Sequence, residues 1–219
     1  MQIPNFNAKG SLFTEREGSA RGLLTKIEEC KDISLYPLNS MGWTMARLTT
    51  TESLLPDPMP HAESFEYNLL YRQGRKSHCL MVAEHKAVIV HIIKLTEMGT
   101  RLFAPIVDIG KLVQHLAELP TIYTLSAVHS NVEGYGQSLR NISFYGTDVG
   151  EALLFREMLP KTPPYRVTLN DIPHQNEIIS ISNSGSISFS TNRGERALQE
   201  VDLALAFLSR NEFLRWEVE

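Results

Sequence analysis

The sequence predicts an α+β fold: a mainly antiparallel sheet built from repeated strand–strand–helix units, with the helices on one face and one more helix near the N-terminus. Three observations carry that expectation. A short pattern occurs three times, as Asp108-Ile109-Gly110-Lys111, Asp148-Val149-Gly150-Glu151 and Asn192-Arg193-Gly194-Glu195, each time after a strand-like run and before a helix-like one. The last two copies also share their flanks: Ile142-Ser143-Phe144 and Ile187-Ser188-Phe189 precede them, and Ala152-Leu153 and Ala197-Leu198 follow. From Phe65 onward the chain reads mainly as short strands separated by turn residues.

In chain order, the first helix is expected over residues 15–31. Thr14 and Glu17 form a capping box, and Leu23, Leu24 and Ile27 lie at helical spacing. Strands are expected at 33–36 and 43–50. The three prolines of Leu55-Pro56-Asp57-Pro58-Met59-Pro60 then exclude a helix or a central strand. Residues 55–64 are therefore read as a loop between an N-terminal layer (1–54) and a repeated strand–strand–helix domain (65–219). Beyond it, 65–72, 79–82 and 87–95 read as strands, the last two forming a hairpin around Glu84-His85-Lys86. Apolar residues on both faces of 87–95 mark it as a central strand. One more strand at 101–107 precedes a helix at 108–119. Strands at 122–129 and 138–145 lead to a helix at 149–159, closed by Pro160, Pro163 and Pro164. After a strand at 165–169, a hairpin of 177–182 and 186–190 turns at Asn183-Ser184-Gly185, which suits positive φ. The last helix covers 193–210, with Leu198, Val201, Leu205 and Leu208 on one face. The apolar tail around Phe213, Leu214 and Trp216 is expected either to add a strand at a sheet edge or to dock on a partner.

The threefold pattern is read as architecture. Asp and Asn at 108, 148 and 192 are helix caps, and Glu151 and Glu195 complete capping boxes. Capping does not require the glycines at 110, 150 and 194. They are expected to let each helix start lie close to the preceding strand. An anion site at the helix starts is the competing reading, opposed by the carboxylates already there.

The chain of 219 residues, with 42% hydrophobic and 21% charged residues, has the composition of a globular protein able to bury a core. A net charge of −4 and a pI near 6.0 disfavour nucleic acid, whose binding calls for a basic surface. The two cysteines, Cys30 and Cys79, signal neither a disulfide framework nor a zinc site and suit a reducing cytoplasm. No signal peptide is evident, and the longest apolar run, residues 87–93, falls far short of the ~20 residues that span a bilayer. No cofactor or metal motif occurs: there is no P-loop, dinucleotide fingerprint, nucleophile elbow or H-E-x-x-H.

Three functional readings follow. The leading one is a non-catalytic protein-interaction module, a subunit, accessory factor or inhibitory partner in an intracellular complex, with self-association also expected. It would use the free sheet face, a sheet edge or the loop around Tyr135, with Trp216 at the tail. The second is nucleic-acid association through Tyr71, Arg72, Arg75 and Lys76, an aromatic interleaved with cations as single-strand binding requires. The third is a hydrolase with His129 and Glu133 as an acid–base pair, in a polar segment rich in glycine.

Overall fold

The computed structural model describes residues 2–15, 21–38, 42–55, 64–73, 78–97, 102–119, 121–132, 140–172 and 176–215. Among them are thirteen strands and five α-helices, and the fold is α+β with antiparallel ladders. In chain order these are β1 (Asn7–Glu15), α1 (Arg21–Glu29), β2 (Ile33–Pro37), β3 (Trp43–Thr50), β4 (Phe65–Gln73), β5 (His78–Ala83), α2 (Lys86–Leu95), β6 (Leu102–Phe103), β7 (Ile106–Val107), α3 (Ile109–Glu118), β8 (Tyr123–Asn131), β9 (Asn141–Tyr145), α4 (Leu153–Met158), β10 (Pro164–Asp171), β11 (Asn176–Ser182), β12 (Ser186–Ser190), α5 (Glu195–Arg210) and β13 (Leu214–Arg215).

The chain forms two compact units. One comprises the residues up to Pro105 together with Ser190–Gln199; the other comprises Ile106–Phe189 with Glu200–Arg215. In the first unit the strand order is β2-β3-β4-β5-β1, and β6 also pairs with β1. β3 and β4, which flank the proline-rich stretch, pair along the whole of β3 from Trp43↔Arg72 to Thr50↔Phe65. The stretch thus joins two neighbours of one sheet; residues 56–63 themselves lie outside the described set. Period 2 sets the core: Ala46 and Leu48 of β3, Tyr67, Leu69 and Tyr71 of β4, and Cys79, Met81 and Ala83 of β5 pack with Ile27 of α1 and Val88, Ile89 and Ile92 of α2. Trp43, Met45, Leu70 and Val82, at the alternate positions, are buried too. Thr191, fully buried, ties down the N-terminal segment: its hydroxyl donates to the Pro4 carbonyl (2.7 Å) and accepts from the Phe6 amide (2.8 Å).

Two expectations for this unit are corrected. Residues 86–95 form a helix rather than a central strand. Thr96 closes it, its hydroxyl donating to the Ile92 carbonyl at 2.8 Å. The apolar run on both faces reflects burial of Val88, Ile89 and Ile92 on one side, while Val90 stays 50% exposed on the other. At the other end, within the span 15–31 expected as helix, Glu15 ends strand β1 and the described residues are helical from Arg21 to Glu29, so Thr14 belongs to β1. Glu17, the other half of the expected capping box, lies outside the described residues.

In the second unit the strand order is β12-β11-β10-β8-β9. One face of this sheet carries Val128, Val167, Ile181 and Ile187, all buried. Phe144 of β9 meets the buried Phe155 of α4 edge-on, ring centroids 5.1 Å apart. The tail is buried in part as anticipated. Phe213 is 1% exposed against His115 and Phe207, and β13 pairs with β7 in a separate two-stranded sheet, not at the edge of the main one. The helix expected at 149–159 is broken: one 3-10 turn covers Val149–Glu151, α4 follows an extended Ala152, and a second 3-10 turn covers Leu159–Lys161.

The three pattern copies turn out to be built differently. Asp108 caps α3, accepting from the Lys111 amide at 3.0 Å, and its carboxylate also meets Arg215 at 3.3 Å. Asp148 accepts from the Gly150 amide at 3.0 Å and opens only a 3-10 turn. Asn192 lies three residues before α5, so it is not the cap, and Glu195 is the first helical residue rather than the far end of a capping box. The glycines differ as well. A Cβ on Gly150 would meet Asp148 Oδ1 at 3.2 Å and Ala117 Cα at 3.5 Å, a close approach to helix α3 rather than to the preceding strand. Gly110 is exposed with nothing nearer than 3.8 Å, and Gly194 has open space and a φ of +56°, a left-handed backbone that explains its residue type.

Candidate functional site

Across the second unit's sheet, four strands place four polar residues in one row. Register pairs Ser143 of β9 with His129 of β8, His129 with Arg166 of β10, and Arg166 with Ser182 of β11. Residues directly opposite in a ladder share a face, so the row lies on the face opposite Val128, Val167 and Ile181. The next row adds Tyr145, Ala127, Thr168, Ser180 and Ser188. Hydroxyl, imidazole and guanidinium groups thus collect on one face, where Ala127, Thr168 and Ser182 are buried, His129 and Arg166 are half-buried, and Ser143 and Tyr145 are exposed.

Two linked groups hold this surface together. His129 Nδ1 lies 2.8 Å from Ser143 Oγ, and the His129 ring is edge-on to Tyr145 (5.7 Å) and tilted against Tyr165 (6.3 Å). Partial burial, and then the positive charge of Arg166, lower the pKa of His129 below its ordinary value. Both effects favour the neutral imidazole. Arg166 reaches over β11, its Nε donating to Ser180 Oγ and its Nη2 to Ser188 Oγ, both at 2.8 Å.

β9 ends the strand order, so its outer side is unpaired among the described residues. The ladder shows which groups it offers. Val132 N–H donates to the Arg140 carbonyl and Gly146 N–H to the Ser126 carbonyl, so even-numbered residues of β9 are hydrogen-bonded to β8. Antiparallel ladders alternate hydrogen-bonded with non-hydrogen-bonded pairs. The N–H and C=O groups of Asn141, Ser143 and Tyr145 therefore point away from β8. The strand reads Asn-Ile-Ser-Phe-Tyr, with no charge and no proline, and Tyr145 is 72% exposed. Edges that must stay unpaired usually carry Lys, Pro or a bulge; β9 carries none of these.

Other candidate residues fall elsewhere. Tyr71 is 1% exposed in the core of the first unit, so its ring is not presented for base stacking, and Arg72 follows it on the opposite face of β4. Arg75, Lys76, Glu133, Tyr135 and Trp216 lie outside the described residues. His129 is brought into a polar cluster with Ser143 and Arg166. Sequence reasoning missed Ser143 and Arg166, although Ser143 stands inside the shared Ile-Ser-Phe motif. A groove of about 530 Å³ in the second unit lies elsewhere, lined by residues of α3 and α4 with Leu159, Pro160 and Pro164. Its Arg156 already donates to the Gly150 and Ala117 carbonyls, and Gln114 to Glu118.

Among the described residues no group of three or more His, Cys, Asp or Glu is placed to hold a metal ion, and no helix is long and apolar enough to cross a membrane. No protein-family model matches the sequence, and no curated protein matches it either.

Proposed function

We propose that this is a non-catalytic protein-interaction module that acts within an intracellular complex and binds its partner by adding a strand to the free edge of β9. The observation that carries the reading is that edge: five residues, uncharged and proline-free, with β-prone Ile142, Phe144 and Tyr145 among them, and with three N–H and C=O pairs aimed outward. Main-chain bonds to Asn141, Ser143 and Tyr145 supply affinity, and the exposed side chain of Tyr145 supplies selectivity. A second copy of the chain pairing edge to edge is the simplest partner of this type. The strand–strand–helix repetition, with helices on one face, belongs to the same reading, because it leaves the opposite face open.

The hydrolase alternative has one observation in its favour, the hydrogen bond between His129 and Ser143. A nucleophile's base is normally oriented by a third group. No described residue is hydrogen-bonded to the other nitrogen of His129, and the same bond is accounted for by the close approach of a non-hydrogen-bonded cross-strand pair. The nucleic-acid alternative loses its stacking residue with the burial of Tyr71.

Ser143→Pro tests the leading reading cleanly. The Ser143 N–H takes no part in the ladder with β8, so proline there is tolerated at an edge but removes the central donor offered to a partner. Ser143→Ala controls for loss of the bond to His129. Affinity purification from the native host should recover a stoichiometric partner, or a second copy, with the wild type and with Ser143→Ala. Ser143→Pro should bind it at least about tenfold more weakly. Equal recovery by Ser143→Pro, or no partner for the wild type, contradicts the reading.

A further inference from the structure

We propose that the open face of the second unit's sheet holds a binding site for a phosphate monoester, centred on the Arg166 guanidinium with the Ser180 and Ser188 hydroxyls. The surroundings of Arg166 support it. Arg166 is half-buried, yet among the described residues it meets no carboxylate; its partners are two neutral hydroxyls. A partly desolvated cation without a counter-charge is costly in an isolated protein and is relieved by an anion.

The donor inventory also fits. Arg166 spends one hydrogen from Nε and one from Nη2 on the serines and keeps the rest of its guanidinium donors. Ser180 and Ser188 are directly opposite each other across β11 and β12, and each accepts from Arg166 through oxygen. Each hydroxyl hydrogen remains to donate. The guanidinium fork and two hydroxyl donors, fixed on adjacent strands rather than on loops, match the several oxygens of a phosphate better than the two of a carboxylate.

His129 supplies a built-in reporter. Ser143 and Tyr145 of β9 and Tyr165 and Arg166 of β10 surround it, and Arg166 is the charged member. The charge of Arg166 opposes protonation of His129. A dianion seated on Arg166 cancels that charge, so the pKa of His129 moves back up toward its ordinary value.

The test uses the full chain, with the His129 ring protons followed by NMR through a pH titration. It is run alone, with O-phosphoserine, with acetate, and with a single-stranded oligonucleotide that carries only phosphodiesters. O-phosphoserine should bind and raise the pKa of His129. Acetate at equal concentration should do neither. Arg166→Gln should abolish binding and the ligand-induced shift. Ser180→Ala with Ser188→Ala, which keeps the charge and protects the test if Arg166→Gln fails to fold, should weaken binding at least about tenfold. Unchanged binding in either variant, an equal response to acetate, or binding of the oligonucleotide with no response to O-phosphoserine overturns the proposal. Because the strand edge is untouched by these variants, partner recovery through β9 stands or falls separately.

Discussion

Single residues show most clearly how one letter can serve different physics. Gly110, Gly150 and Gly194 occupy the same place in one recurring pattern, yet one is open, one is hemmed in by Asp148 and Ala117, and one carries a left-handed backbone. Of the three copies, Asp108 caps an α-helix as the pattern suggests, Asp148 opens a 3-10 turn and Asn192 stands three residues before α5; what each glycine does was not legible, because it depends on neighbours distant in sequence. Gly10 is the sharper case. It lies between the buried Ala8 and Leu12 on the inward side of β1, where a Cβ would run into the Met81 carbonyl and Val82, with Val82 Cα only 2.9 Å away. Those atoms belong to the paired strand and its backbone, so they yield little. Gly10→Ala should therefore destabilise by about 1–3 kcal/mol, as overpacking does, measured by urea denaturation, whereas Gly110→Ala should be neutral or mildly stabilising. The small residues that make β1 fit are also why the sequence conceals it: Ala8 and Gly10 give the alternation almost no amplitude.

At the scale of elements, the hairpin of β11 and β12 and the strands β2, β3 and β8 follow the sequence closely, because period-2 burial and turn chemistry are both local. α2 does not. Its Val and Ile run has high strand propensity, and apolar residues fill every side, so periodicity alone does not separate a buried strand from a helix. Packing decides in favour of the helix: Val88, Ile89 and Ile92 face one core and Thr96 caps the end. The helical period makes a prediction that a strand does not. Ile92→Ala should cost about 2–5 kcal/mol, as a large-to-small change at a fully buried site does, while Val90→Ala, at a half-exposed site, should stay within about 0.5 kcal/mol by the same denaturation curve. In a two-sided central strand, by contrast, both changes would cost alike. The row Ser143–His129–Arg166–Ser182 belongs to this scale too. No sequence window contains it, since its members come from four strands and only the register unites them.

For the whole molecule, the central claim is that the free edge of β9 is kept for a partner strand. The alternation of bonds to β8 gives that claim a residue-by-residue signature in amide hydrogen exchange. In the free protein the amides of Ile142 and Phe144, bonded to β8, should exchange slowly, and those of Asn141, Ser143 and Tyr145, aimed outward, should exchange quickly. In the complex recovered with the wild-type chain, Asn141, Ser143 and Tyr145 should become protected while Ile142 and Phe144 change little. Fast exchange at 141, 143 and 145 that persists in the complex, or protection at those three already present in the free monomer, would contradict strand addition at β9.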